Sequence, residues 1–204
     1  MKYIVVAGLM SLGLLVTGAQ AQEGNRSDIT VSAFGSFQQS TSGNGVNQSG
    51  SESAGVLATY RYFFTDHQGV EVDYGFSRFD QQFSAPTAAT PFSFGTSANT
   101  NEATASYVYR HAVGHRLTPF VSAGTGALVF LPSAFSAGGT NGSTFATPDF
   151  VYSAGADLAL SRRVSLRLGF RGHVFEAPDF GVPSIRTNSV TQIIEPFGGL
   201  SLHF

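Results

Sequence analysis

No cysteine and no tryptophan occurs in the 204 residues, and charged residues make up only 12% of the chain. Lysine occurs once, at Lys2. Each shortage removes a class of protein. Without cysteine there is no disulfide framework and no thiolate ligand for zinc, haem or an iron–sulfur cluster. A formal net charge of −2 with no lysine beyond the second residue leaves no basic footprint for nucleic acid. A charged fraction about half that of soluble proteins fits neither a disordered segment nor an ordinary cytosolic enzyme.

Long apolar runs are also missing after residue 21, so no later segment has the roughly 20 residues a spanning helix needs. The first 21 residues are different. Met1 and Lys2 precede an apolar stretch over 3–16, followed by Ala19-Gln20-Ala21. This reads as a cleaved secretory signal over 1–21, leaving a single domain over 22–204. An exported chain without a spanning helix is either soluble outside the cytoplasm or crosses a membrane as a closed β-barrel, the other structure that satisfies its backbone in lipid.

What is plentiful is glycine (24), phenylalanine (19) and tyrosine (7), arranged with a period of two. Segments 29–37, 54–62, 70–77, 102–110, 119–129, 150–158, 164–174 and 194–204 each separate into two faces by parity. One face carries Ile29, Val31, Val56, Val72, Tyr107, Val121, Leu168 and Leu202, with no charge in any segment. The other is rich in Gly and Ser and holds the strand charges. A soluble barrel has the opposite sense, with an apolar centre and a charged exterior. A charge-free face suits hydrocarbon, where an Arg near the midplane costs roughly 2–4 kcal/mol. Segments of about 9–11 residues are the length a tilted strand needs to cross a bilayer. The expected fold is all-β: an eight-stranded antiparallel up-and-down transmembrane β-barrel.

The connections alternate in length. Those over 38–53, 78–101, 130–149 and 176–193 are long, and those over 63–69, 111–118 and 159–163 are short. Outer-membrane barrels put short turns in the periplasm and long loops outside. Turns centred on Asp66 and Arg162 set Arg61 opposite Glu71 and Asp157 opposite Arg167; one centred on Gly114 sets Tyr109 opposite Pro119. Arg61, Glu71, Asp73, Arg110, Asp157, Arg167, Arg171 and Glu195, together with Glu102, are then expected to share the lumen as an ion-paired network. An eight-stranded barrel is just wide enough for side chains to fill it, so a structural plug is the preferred reading over a gated pore. Outward aromatics sort by height: Tyr60, Tyr62, Tyr107, Tyr109 and Phe204 towards the short turns, and Phe37, Tyr74, Phe76, Phe150 and Tyr152 towards the long loops, as two interfacial girdles would require.

Chemical motifs are few, and no catalytic, cofactor-binding or metal residue is assigned from them. His111-x3-His115 falls on an expected turn, and two ligands do not make a zinc site. Gly124-Thr125-Gly126 lies inside a strand, where glycine marks close packing. A hydrolytic set built on His173, Glu176 and Ser153 lacks an oriented triad.

The chain closes on Phe197-Gly198-Gly199-Leu200-Ser201-Leu202-His203-Phe204. Gly199, Leu202 and Phe204 match the C-terminal assembly signal of bacterial outer-membrane proteins, and the domain as a whole resembles the OmpA/OmpX-like eight-stranded barrel family. The resemblance implies a Gram-negative-type outer membrane, its lipids as surroundings, and periplasmic chaperones and the barrel-assembly machinery as partners. The leading functional expectation is a non-enzymatic barrel whose surface loops serve envelope integrity or adhesion, with a surface ligand held by the loops. The alternatives are a narrow channel for small solutes and, by family analogy alone, a lipid-modifying enzyme.

Overall fold

The two-residue alternation becomes ten strands in a computed structural model that describes residues 26–86, 92–132 and 143–204. They are β1 (Ser27–Gln38), β2 (Thr41–Gly43), β3 (Val46–Gly50), β4 (Ser53–Phe63), β5 (Gln68–Ala85), β6 (Phe92–Arg110), β7 (Leu117–Pro132), β8 (Phe145–Ala159), β9 (Val164–Glu176) and β10 (Val190–His203). The expected signal segment 1–21 lies outside the described residues. Eight strands are staves. Each of β4 to β9 pairs antiparallel with the next, and β1 pairs with both β4 and β10. The ring closes with no free edge, so every stave's backbone groups are satisfied by its neighbours. Among the described residues no helix is long and apolar enough to cross a membrane.

Orientation follows parity. Val31 is 63% exposed and Val72 and Leu168 are each 53% exposed, while Thr30, Arg61, Glu71 and Arg167 are buried. The greasy face therefore looks outwards and the ionic face inwards. Both aromatic girdles also point outwards.

Two of the three tight turns have the expected register. Arg61 pairs with Glu71 and Asp157 with Arg167. A hydroxyl closes each: Thr65 Oγ1 accepts from the Gln68 amide (2.9 Å) and Ser161 Oγ from the Val164 amide (3.1 Å). The third turn differs. Tyr109 pairs with Val121, not Pro119. Val113 bridges Leu117, so the loop is Gly114-His115-Arg116 with its centre at His115. Gly114 takes φ +68° at the start of this loop, where only glycine is unstrained, rather than at its middle. The slip is two residues, so no side chain changes face.

The long connections contain more strand than the composition suggested. β5 and β6 stay paired up to Ala85 and Phe92, so most of 78–101 is a tall hairpin and not a loop. Within 38–53, β2 and β3 form a further hairpin around Asn44-Gly45, with φ 51° and 77°. Two successive left-handed residues define the turn whose twist matches its strands. β3 then pairs with the upper part of β5. β7 and β8 likewise continue to Phe130 and Phe145.

Above the staves, the link from β9 to β10 folds back over the mouth. A short 3-10 turn, Pro183–Ile185, buries Ile185, and Phe180, at φ 50°, buries its ring. Both join Phe79, Phe83, Leu128, Phe130, Phe175 and Ile193 in one apolar cluster. The link is tied to the β2–β3 hairpin by Asn44 Nδ2 donating to the Arg186 carbonyl (3.0 Å) and Ser189 Oγ donating to the Ser42 carbonyl (2.9 Å).

Candidate functional site: the ion-paired lumen

Inward side chains are staggered in height, and they assemble two ionic clusters. The lower one lies towards the short turns. Arg167 on β9 donates Nε to Asp157 Oδ1 (2.6 Å), Nη2 to Asp28 Oδ1 (3.0 Å) and Nη1 to Thr30 Oγ1 (2.7 Å). Arg61 on β4 pairs with Glu71 and lies 3.8 Å from Asp157. Glu71 also accepts from Ser122 Oγ (3.1 Å). The Phe120 ring lies 4.0 Å beneath the Arg61 guanidinium, where the aromatic face attracts a cation.

The upper cluster centres on Arg171 of β9, which donates to Glu102 and to Glu195 Oε2 (Nε, 2.9 Å). Ser36 Oγ donates to the other oxygen of Glu195 (2.9 Å). His173 places Nδ1 2.6 Å from Asp149 Oδ2. Asp73 lies between the clusters and accepts from Thr59 Oγ1 (2.5 Å) and Thr104 Oγ1 (3.1 Å).

Of the residues assigned to the network from sequence, seven meet as ion pairs: Arg61, Glu71, Glu102, Asp157, Arg167, Arg171 and Glu195. Asp73 is held by hydroxyls instead. Arg110 is a correction: among the described residues it makes no ion pair within 4.0 Å. It sits at the short-turn mouth with its guanidinium 3.5 Å over the Phe63 ring and its Nε donating to the Asp66 carbonyl (3.0 Å), because the last residue of β6 lies below the acids. Asp28 and Asp149 were missed. Both have inward parity, but they stand just outside the strand limits read from the sequence.

The buried lumen charges are unbalanced. Asp28, Glu71, Asp73, Glu102, Asp149, Asp157 and Glu195 face Arg61, Arg167, Arg171 and one histidine, His173. Space is scarce. A void between the clusters, lined by Arg61, Glu71, Asp73, Arg167 and Arg171, is about 10 Å³, room for one water at most. Inward aromatics fit because a glycine stands opposite: Phe34 across from Gly55, Phe120 from Gly155, Phe197 from Gly169. A Cβ at Gly55 would come 2.3 Å from the Phe34 ring.

The other sequence candidates do not assemble. Ser153 is occupied by Ser122 (2.6 Å) and Glu176 is exposed, so no triad forms with His173. Gly124 and Gly126 pack against the β6 backbone, where a Cβ would meet carbonyl oxygens at 2.1 and 2.3 Å. His111 stacks on His67, 5.6 Å between ring centres. At the seam, Gly199 lies against Ser32, Leu202 faces outwards, and the Phe204 amide donates to the Ser27 carbonyl (2.9 Å).

A closed barrel of eight staves, apolar towards lipid and filled with ion pairs, is the architecture of bacterial outer-membrane proteins. The chain belongs to the outer membrane protein beta-barrel domain family, whose profile matches residues 7–191. Its surroundings are therefore the lipids of a bacterial outer membrane. No curated protein matches the chain. Among solved structures it is similar to OprG from Pseudomonas aeruginosa, with 13% identity over 91% of this chain and 99% of that one, and a TM-score of 0.63. It is also similar to Neisserial surface protein A, with 17% identity over 89% and 100% and a TM-score of 0.56. A third is Ail, the attachment invasion locus protein of Yersinia pestis, solved with the heparin analogue sucrose octasulfate; identity is 12% over 88% and 99%, and the TM-score is 0.52. These likenesses are of fold.

Proposed function

We propose that this is a non-enzymatic, non-conducting outer-membrane barrel whose extracellular end acts at the cell surface, in adhesion or envelope integrity. The observation that carries this reading is the contrast between a lumen whose void between the two ionic clusters is about 10 Å³ and an extracellular end built of paired strands under a docked cover. A solute path needs a continuous wet bore. A binding platform needs rigid elements holding polar groups outwards. The rim offers the latter: a groove of about 290 Å³ is lined by Ser40, Thr41, Asn47, Gln82 and Ser84, beside the β2–β3 hairpin. Ail, an attachment invasion locus protein of similar fold, agrees with this reading. In this scheme residues 1–21 direct export and are removed, periplasmic chaperones carry the chain, and the assembly machinery reads Gly199, Leu202 and Phe204.

The test compares a deletion strain with one complemented by a chain in which residues 39–50 are replaced by a short glycine–serine link. Loss of surface adhesion or increased detergent sensitivity in both strains is expected. Unchanged adhesion and unchanged sensitivity on deletion would refute the surface role. Planar-bilayer recordings of the purified barrel should be silent; discrete conductance steps would favour a narrow channel instead.

A further inference from the structure

We propose that Glu102, His173 and Glu195 form a divalent-metal site inside the barrel, with the imidazole-and-carboxylate chemistry that suits zinc. The inference stands apart from the surface role, since it concerns the lumen alone.

The three residues come from β6, β9 and β10, and one ligand atom from each lies within 4.8 Å of the others. His173 Nε2 is 3.4 Å from Glu102 Oε2 and 3.5 Å from Glu195 Oε2. These separations exceed the usual N–H···O range of about 2.7–3.2 Å. They match the edge of a tetrahedron with ligands about 2.0–2.1 Å from its centre, which is about 3.4 Å. His173 is 1% exposed, and its Nε2 has no hydrogen-bond partner. A buried imidazole nitrogen aimed between two carboxylates is costly unless a proton or a metal cation lies between them.

The surroundings are those of a metal ligand. With its proton on Nδ1, His173 donates to Asp149 and directs the Nε2 lone pair at the two carboxylates. That is the carboxylate–histidine–metal relay that fixes the ring and raises its basicity. The carboxylates are also held in place. Arg171 takes the far oxygen of Glu102, leaving Oε2 free, while Ser36 holds Oε1 of Glu195 and Arg171 Nε donates to its Oε2 (2.9 Å), the oxygen that Arg171 and the metal would share. Charge argues the same way: the buried acids outnumber the buried arginines by seven to three, and a divalent ion relieves the excess where the ligand atoms converge. One nitrogen and two carboxylates are too few and too close for calcium, which takes six to eight oxygens. Bound there, the metal would pin β6 to β9 and β10 beneath the apolar cover, and the ion would enter as the barrel closes.

The test folds the purified chain into detergent micelles with Zn²⁺ or with EDTA, then strips loosely held metal with EDTA and counts zinc by mass spectrometry. A His67→Ala/His111→Ala background removes the exposed stacked pair. About one zinc retained per chain is expected, with a higher temperature for the heat-induced gel shift. Asp149→Asn should weaken zinc about 10–100-fold, and His173→Gln should abolish retention. Co²⁺ should give the visible absorption of a tetrahedral nitrogen–oxygen site in the unmutated lumen, a readout that needs no lumen variant to fold. Failure of the unmutated lumen to retain zinc, or zinc affinity unchanged in Asp149→Asn or His173→Gln, would overturn the assignment and leave His173 as a protonated partner of the acids.

Discussion

The lower lumen and the extracellular chamber solve one packing problem with opposite chemistry. Below, Arg61 and Arg167 are wedged among Glu71, Asp157 and Asp28. Above, Phe79, Phe83, Phe130, Phe180 and Ile185 exclude charge altogether. The lower region has lipid outside, so its polar groups must face inwards and satisfy one another. The upper region has risen beyond the apolar belt and can bury carbon against carbon as a soluble domain does. One barrel thus carries an inside-out membrane half and an ordinary hydrophobic half on the same eight staves.

Breaking the ionic half should cost most. Arg167→Ala strips Asp28 and Asp157 of their nearest cation and should destabilise the barrel by about 3–5 kcal/mol, read from urea unfolding in lipid vesicles by gel shift. Asp157→Ala combined with it should be non-additive by at least ~0.5 kcal/mol; additive effects would show that the pair does not act as a unit. In the apolar half, Phe130→Ala should cost about 3 kcal/mol and add independently to Arg167→Ala, because the two clusters share no partner. Coupling between them would erase the distinction between the halves. Gly155→Ala tests the wall itself. Its new methyl would meet the Leu168 carbonyl at 2.4 Å and the Phe120 ring at 2.8 Å, and the expected cost is about 1–3 kcal/mol. The smallest effect belongs to Arg110→Ala at the half-exposed mouth, about 0.5–1 kcal/mol from the lost stacking on Phe63. A loss as large as that of Arg167 would place Arg110 inside the network after all.

The barrel and its lipid-facing surface were legible because parity survives errors of boundary. A strand limit misplaced by several residues moves no side chain to the other face, so Arg61, Glu71, Asp157 and Arg167 were found. Limits themselves were not legible. Asp28 and Asp149 have inward parity but stood beyond the assumed strand ends; Asp28 proves to hold Arg167 and Asp149 to hold His173. The tall β5–β6 hairpin looked like a loop because Ser, Thr, Gln and Asn dominate 93–101 and 81–84. Such composition marks a loop only when no partner strand is available, and each of these strands supplies the other's. Asn44-Gly45, not singled out in the sequence, is the turn signal from which the β2–β3 hairpin could have been read. Height within the lumen is set by stagger around the ring, which parity does not encode. That is why Arg110 was grouped with acids that lie above it.

The hydrogen bond between Thr30 and Ser201, 2.5 Å long, joins residues 171 positions apart across the β1–β10 seam. Until that seam zips, two staves present bare amides and carbonyls to whatever surrounds them, and the charged bore is open along its side. Insertion therefore has a compulsory last event, the meeting of strands from opposite ends of the domain. It is the slowest kind of contact a chain can be asked to make, and a catalyst that lends a temporary edge to β1 or β10 would act at that step.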